Sequence, residues 1–271
     1  MMKVLFLGDI VGKSGRNKIQ ECLQEYKYKN KVDFVIANGE NATSGAGLSS
    51  DHAEKILENG VDCITLGDHA FDQKDIQKII NDNKKIIRPI NLSEESPGKG
   101  FNFFLLNSKK ILVVQVLGRV FMKKKFSDPF PLLDTILENY KLGRKADCII
   151  VDVHAEATSE KMAIGYFCDG RASLVVGTHT HIPTADTRIL PSGTAYQTDA
   201  GMCGDYDSII GMDKAEPMRR FVKNQVSGRF TPASGEATLS GIQVEINDKG
   251  LAEKVKPVRF GGILALTSPE R

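Results

Sequence analysis

Charge of one sign is scarce in this chain. Its 271 residues carry 36 basic and 34 acidic side chains, a formal net charge of +2. That balance gives no support to broad electrostatic binding of nucleic acid or of an anionic membrane. Any anion must be held by a local site. Long apolar runs are missing too. None approaches the ~20 residues a membrane helix needs, and Val4–Leu7 stops at Gly8-Asp9, too short for a secretory leader. The five cysteines (Cys22, Cys63, Cys148, Cys168, Cys203) are odd in number, far apart and form no Cys-x-x-Cys pair. That excludes a recognisable disulfide framework or zinc ribbon and favours a reducing cytoplasm. Repeats, low-complexity tracts and linker-like stretches are also absent. With 41% hydrophobic and 26% charged residues, one folded domain over residues 1–271 is expected, within the size of a single core.

What is present is an alternation of short apolar runs with amphipathic stretches. Val4–Leu7, Phe34–Ala37 and Cys63–Leu66 read as buried strands, each about four residues long and ended by Gly or followed by it closely. Arg16–Tyr26 and Asp51–Glu58 read as helices between them, the second capped by Ser50 or Asp51. This β-α-β-α-β order argues for parallel strands with crossover helices. A helix over Asp72–Asn81 is expected before Ile86–Ile87. Phe101–Leu106 and Ile111–Val116 then suggest a hairpin, Arg119–Pro131 a loop, and Leu132–Tyr140 a helix. Cys148–Val153 and Ser173–Val176 read as strands, followed by strand-like runs at Thr187–Leu190, Thr194–Thr198, Ser240–Ile246 and Val255–Phe260. The fold class is α/β with a mixed, two-layered sheet.

Five of these strands end in a metal-ligating residue type. They lead to Asp9, to Asn38-Gly39-Glu40-Asn41, to Gly67-Asp68-His69, to His154, and to Gly177-Thr178-His179-Thr180-His181. In α/β folds ligands bind beyond the carboxyl ends of the strands, so residues scattered along the chain can meet in one crevice. Three histidines, two or three carboxylates and one or two Asn oxygens suit Mn, Fe, Zn or Co better than Ca, and lack the thiolates of structural zinc sites. Seven ligands exceed what one open-sited ion requires but suit two ions sharing a carboxylate, a recurrent device for in-line attack on phosphorus. Taken singly, Asp9 reads equally as a cap, Glu40-Asn41 as a turn and His154 as a core histidine. Recurrence at five strand ends outweighs those readings. A phosphate-binding P-loop at Gly12-Lys13-Ser14 fails by register, since its first glycine would have to be Leu7. Gly12 and Gly15 are better read as shaping the turn into the first helix.

Several segments together resemble the calcineurin-like metallophosphoesterases, and more closely their bacterial YmdB-type branch. They are Leu7–Gly12, Asn38–Ala42, Asp152–Lys161, Asp169–Ser173, Gly177–His181, Asp128-Pro129-Phe130 and Leu239-Ser240-Gly241. The resemblance implies a four-layer α/β/β/α sandwich with mixed sheets. It also implies a phosphodiesterase acting on small cyclic nucleotides such as 2′,3′-cyclic AMP, through a metal-bridging hydroxide. Its implied cofactors are two divalent or transition-metal ions, Fe or Mn first, with Zn, Co or Mg as alternatives. Asp9, Asn41 and His181 would hold one ion and His154 and His179 the other, with Glu40 bridging. The family's Asn ligand of the second ion is Asp68 here. His69 would be the catalytic residue that assists the departing oxygen, with Asp72 placed to orient it. Rival readings are a phosphomonoesterase or 5′-nucleotidase, and a nucleotide- or RNA-binding regulator with little turnover.

Other residues carry less. Arg171 should lie at the far end of the sheet, in a structural contact or in one between copies of a homo-oligomer. Lys123–Lys125 read as a solvated face, and His52 as exposed and unrelated to catalysis. The loop Asp199–Gly211, with Tyr206, is a candidate lining for the substrate pocket.

Overall fold

The structure, a computed structural model, describes residues 1–267. Its first sheet holds β1 (Met2–Leu7), β2 (Asp9–Ile10), β3 (Phe34–Asn38), β4 (Cys63–Thr65), β5 (Ile86–Ile87), β12 (Met202–Asp205), β13 (Ala237–Ile246) and β14 (Ala252–Phe260). The order is β2-β12-β13-β1-β3-β4-β5, with β14 also on β13. β1, β3, β4 and β5 run parallel, while β13 is antiparallel to β1. The second sheet holds β6 (Phe101–Leu106), β7 (Lys109–Leu117), β8 (Cys148–His154), β9 (Leu174–Thr178), β10 (Arg188–Ile189) and β11 (Ala195–Gln197). Its order is β10-β11-β9-β8-β7-β6, parallel from β11 to β7 and antiparallel at both edges.

Side-chain alternation along the strands builds the layers. Val4, Phe6, Ile36 and Cys63 face Ile111, Val113, Ile150 and Val176 in one core between the sheets. Leu5, Leu7, Val35 and Ile64 point the other way, against Ile19, Leu23 and Ile56 of α1 (Gly12–Asn30) and α2 (Ser50–Glu58). On the far side Leu112, Val114, Ile149 and Val151 meet Leu133, Leu137 and Ile164 of α3 (Pro129–Asn139) and α4 (Thr158–Phe167). The expected α/β/β/α sandwich with mixed sheets is thus present. Strands buried on both faces explain why their sequences read as continuous apolar runs. A fifth helix, α5 (Ala215–Lys223), buries only Pro217. Among the described residues no helix is long and apolar enough to cross a membrane.

Several local expectations need correction. Asp72–Asn81 is not an α-helix but turns around a 3-10 segment, Lys74–Lys78. There Asp75 spends its carboxylate on Ser50 N and Oγ, both at 2.8 Å, rather than on its own segment. Helix α1 begins at Gly12 rather than Arg16. Glycines argue against a helix by propensity, but Gly15 packs where a Cβ would lie 2.1 Å from Cys203 O. Helix α2 is capped by Ser49, which accepts from His52 N, not by Ser50 or Asp51. The expected loop Arg119–Pro131 ends early, because Asp128 caps α3 and Pro129 opens it. Helices α4 and α5 and strand β12 have no counterpart among the sequence expectations.

Candidate metal centre

The carboxyl ends of β1, β3, β4, β8 and β9 open on one edge of the sandwich, where the strand-end residues meet. Glu40 is the centre. Its backbone N donates to Asn38 Oδ1 at 3.0 Å. Its Oε1 lies 3.0 Å from His154 Nε2 and accepts from Asn41 Nδ2 at 3.1 Å. Its Oε2 accepts from the His69 backbone N at 3.1 Å. Asp68 Oδ1 stands 3.3 Å from His154 Nε2 and 3.6 Å from His179 Nδ1, and the two imidazoles approach to 3.1 Å. Ligating atoms of Glu40, Asp68, His154 and His179 all lie within 4.8 Å of one another. Asp9, Asn41 and His181 adjoin this group. Asn41 Nδ2 is 3.0 Å from His181 Nε2, His181 Nε2 is 3.8 Å from Asp9 Oδ1, and Asp9 Oδ2 accepts from His179 N at 3.1 Å.

Neighbouring groups decide which imidazole nitrogens face inward. His181 Nδ1 lies 2.7 Å from the Ile210 carbonyl, which can only accept, so Nδ1 carries the proton and Nε2 turns its lone pair to the cluster. Thr178 donates its hydroxyl to Asp152 Oδ1 at 2.7 Å. Its oxygen therefore accepts from His154 Nδ1 at 2.9 Å, and His154 Nε2 is aimed at the carboxylates. Gln115 Nε2 closes the set on Asp152 Oδ2 at 2.8 Å. Sequence reasoning missed Thr178, Ile210 and Gln115. Only Thr178 gave a signal, lying between Gly177 and His179.

The site's electrostatics call for a cation. Burial pushes the Asp9 carboxyl up to about 7, against the pull of His181 and His154. Burial would also raise Glu40 and Asp68, but His154 prevails and holds both below the usual carboxylate range. For His154 burial is likewise overcome, chiefly by Glu40, and the imidazole sits well above its ordinary value. His179, buried and beside that positive charge, falls to about 4. The carboxylates thus draw positive charge to His154, as they would a metal ion. Two further features fit a metal. Asp9 Oδ1 is buried without a hydrogen-bond partner, a rarity among buried polar atoms. A Cβ on Gly67 would stand 2.0 Å from Glu40 Oε2 and 2.6 Å from His154 Nε2, so only glycine keeps this space open. Carboxylate, amide and imidazole donors without thiolate suit first-row divalent ions.

His69 stands at the rim, its side chain 36% exposed, with Nδ1 2.6 Å from Asp72 Oδ2. The turn that brings Asp72 back is closed by Asp72 N on His69 O at 3.1 Å. Burial lowers this imidazole's pKa, but Glu40 and the Asp72 hydrogen bond outweigh it, leaving a net rise. Arg171 lies away from the cluster, on Asp134 at 2.8 Å and Glu138 at 3.3 Å, and over the Phe167 ring. His52 is half-buried, not exposed, with Nδ1 2.7 Å from Thr43 Oγ1 in the loop before α2. Lys123, Lys124 and Lys125 are all exposed, as a solvated face requires, and Lys124 Nζ reaches Asp68 O at 3.4 Å. Tyr206 spends its hydroxyl on Met202 N and O, at 2.7 and 3.1 Å.

An α/β/β/α sandwich with acids and histidines gathered on its strand-end edge is the architecture of metallophosphoesterases. The sequence pattern of YmdB-like proteins matches residues 5–258, and the chain belongs to that family. It is 45% identical over 248 residues to the 2′,3′-cyclic-nucleotide 2′-phosphodiesterase of Bacillus subtilis, covering 92% of each chain. Among solved structures it resembles a hypothetical protein from Thermus thermophilus, with a TM-score of 0.89 and 40% identity over 97% of this chain and 100% of that one. A structure titled as a novel phosphatase from Mycoplasma pneumoniae gives the same TM-score, with 38% identity over 96% and 93% of the two chains.

Proposed function

We propose that this phosphoester hydrolase opens small cyclic nucleotides such as 2′,3′-cyclic AMP, using two divalent ions. Asp9, Asn41 and His181 would hold one ion, Asp68, His154 and His179 the other, and Glu40 both. The observation that carries this reading is Glu40 Oε1, which stands 3.0 Å from His154 Nε2 and 3.1 Å from Asn41 Nδ2, between the two groups. Asn41 would turn its amide so that the oxygen faces the ion, a reversal that its short χ2 torsion permits. When bound, divalent ions supply Lewis-acid stabilisation of phosphoryl charge and lower the pKa of attacking water. The chain's own contribution to bond cleavage is His69. Held by Asp72 and raised in pKa by Glu40, it carries a proton for the departing ribose oxygen. The similarity to the Bacillus subtilis enzyme supports the cyclic diester as substrate, and the five free thiols support a reducing cytoplasm.

The Mycoplasma pneumoniae relative, described as a phosphatase, favours a second reading, hydrolysis of monoesters. Turnover of 2′,3′-cyclic AMP and a chromogenic diester, set against the matching monoester with Mn present, separates the two. Diester preference supports the proposal, and monoester preference replaces it. Turnover of neither with any divalent metal would point to a nucleotide-binding regulator. In the active protein, His69→Ala should retain its metal and lose on the order of 10²–10⁴ in turnover. A metal-free His69→Ala protein would make His69 a ligand instead.

A further inference from the structure

The His179-Thr180-His181 turn is unusual in its backbone. His179 has φ 95° and His181 φ 67°, left-handed values that are unfavourable for a non-glycine residue and persist only where surrounding contacts enforce them. The enforcing contact is on Thr180, between them. Asp199 Oδ2 accepts from Thr180 N at 3.1 Å, from Thr180 Oγ1 at 2.7 Å and from Lys161 Nζ at 2.7 Å. Asp199 Oδ1 accepts from Gly201 N at 2.8 Å, and the Gly201 carbonyl accepts from Asp9 N at 3.1 Å. One carboxylate therefore ties down the turn bearing two candidate ligands and the strand bearing a third.

Lys161 and Asp199 are both fully buried. Lys161 reaches inward from α4 across Gly177, where a Cβ would lie 2.8 Å from Lys161 Cδ. A buried ion pair is a poor source of stability, because well-packed apolar residues of similar volume often serve as well or better. Its retention calls for a different role. Taking three donors on one oxygen and a fourth on the other requires a group with acceptors only, which is an ionised carboxylate and not an amide. Lys161 supplies the compensating charge that lets this carboxylate exist in the core.

We infer that Lys161, Asp199 and Thr180 form a positioning unit that locks the His179–His181 turn, so that both imidazoles and Asp9 are preset for metal. This rests on the dinuclear reading above. The unit touches neither metal position nor substrate, so its effect should appear first in metal affinity. Thr180→Val removes the hydroxyl donor at nearly constant volume and leaves the Lys161–Asp199 pair intact. Thr180→Ser restores the donor. Asp199→Asn keeps the shape but sets an amide donor against one of the four donors around it.

The test is titration of the metal-free full chain with Co(II), reading affinity and the ligand-field absorption bands. Thr180→Val and Asp199→Asn should bind about 10–100-fold more weakly, the usual cost of losing a group behind a ligand, with altered bands. Thr180→Ser should bind like the unsubstituted protein. The unfolding midpoint of metal-free Thr180→Val should stay near that of the unsubstituted protein. Unchanged Co(II) affinity and bands in Thr180→Val would overturn the inference even if Asp199→Asn fails to fold, since the pair would then be structural only. If the unsubstituted chain binds no Co(II), the metal-centre reading falls and takes this one with it.

Discussion

Asp68 would give the proposed centre one more negative charge than the Asn that the family resemblance implies at this position. With two divalent ions, ionised Asp9, Glu40 and Asp68 offset three of four positive charges, where an Asn at position 68 would leave two offset. The extra carboxylate should hold metal more tightly and stabilise less of the negative charge that develops on phosphorus. Asp68→Asn is therefore expected to weaken metal binding while leaving turnover at saturating metal equal or higher. Metal titration and steady-state rates on the same preparation check this, and a collapse of saturated turnover would show that the carboxylate itself is needed. The eight candidate residues are legible in the sequence because they recur at strand ends, where the chain alternates between core and crevice. Behind them, Asp72 is legible as the partner of His69, but most of the orienting groups are not. Thr178 orients His154 by donating its hydroxyl hydrogen bond to Asp152, which leaves its oxygen to accept from His154, and Ile210 orients His181 through a backbone carbonyl, which no side-chain pattern records.

Among the elements, the expected helix over Asp72–Asn81 failed because its polar residues are committed elsewhere. Asp75 reaches Ser50 N and Oγ, so it serves the start of α2 instead of extending its own helix. The Ser50 backbone contact, set against a small opposing effect of burial, lowers the Asp75 carboxyl below its ordinary value. A depressed folded-state pKa contributes stability above the unfolded value of about 4 and loses it as pH falls through the folded value. Asp75→Ala should therefore cost about 1 kcal/mol near neutral pH, the scale of a lost helix cap, reduced where solvent screens the group. Urea unfolding of both proteins at pH 7 and pH 3 should show that difference shrinking in acid. A pH-independent difference would assign the loss to packing. Helix α4 is hidden in the sequence for a related reason. Its buried side is Lys161, Ile164 and Gly165, and a charge and a glycine erase the apolar stripe by which helices are read.

At the scale of the whole molecule, the candidate ligands divide between the two sheets. Asp9, Glu40, Asn41 and Asp68 follow or lie in strands of the first sheet, and His154, His179 and His181 end or follow strands of the second. The apolar layer between the sheets joins them along their length, but at the strand-end edge it gives way to acids and imidazoles. Burial raises the Asp9 carboxyl and, with the charge on His154, lowers His179, while Glu40 and His154 hold each other in their charged forms. A metal bound there would clip sheet to sheet. Because such binding is absent from the unfolded chain, free metal at about 1,000 times its dissociation constant adds about 4 kcal/mol. For a chain of this length that is on the order of 10 °C in unfolding temperature. Chelation should lower the unfolding temperature by that amount and make it depend on metal concentration. Hydrogen exchange should then rise at the carboxyl ends of β1, β3, β4, β8 and β9, while their amino ends, held by the apolar layer, stay protected. An unfolding temperature indifferent to chelator, with exchange unchanged at that edge, would mean that protein contacts alone hold the two sheets together and that no metal joins them.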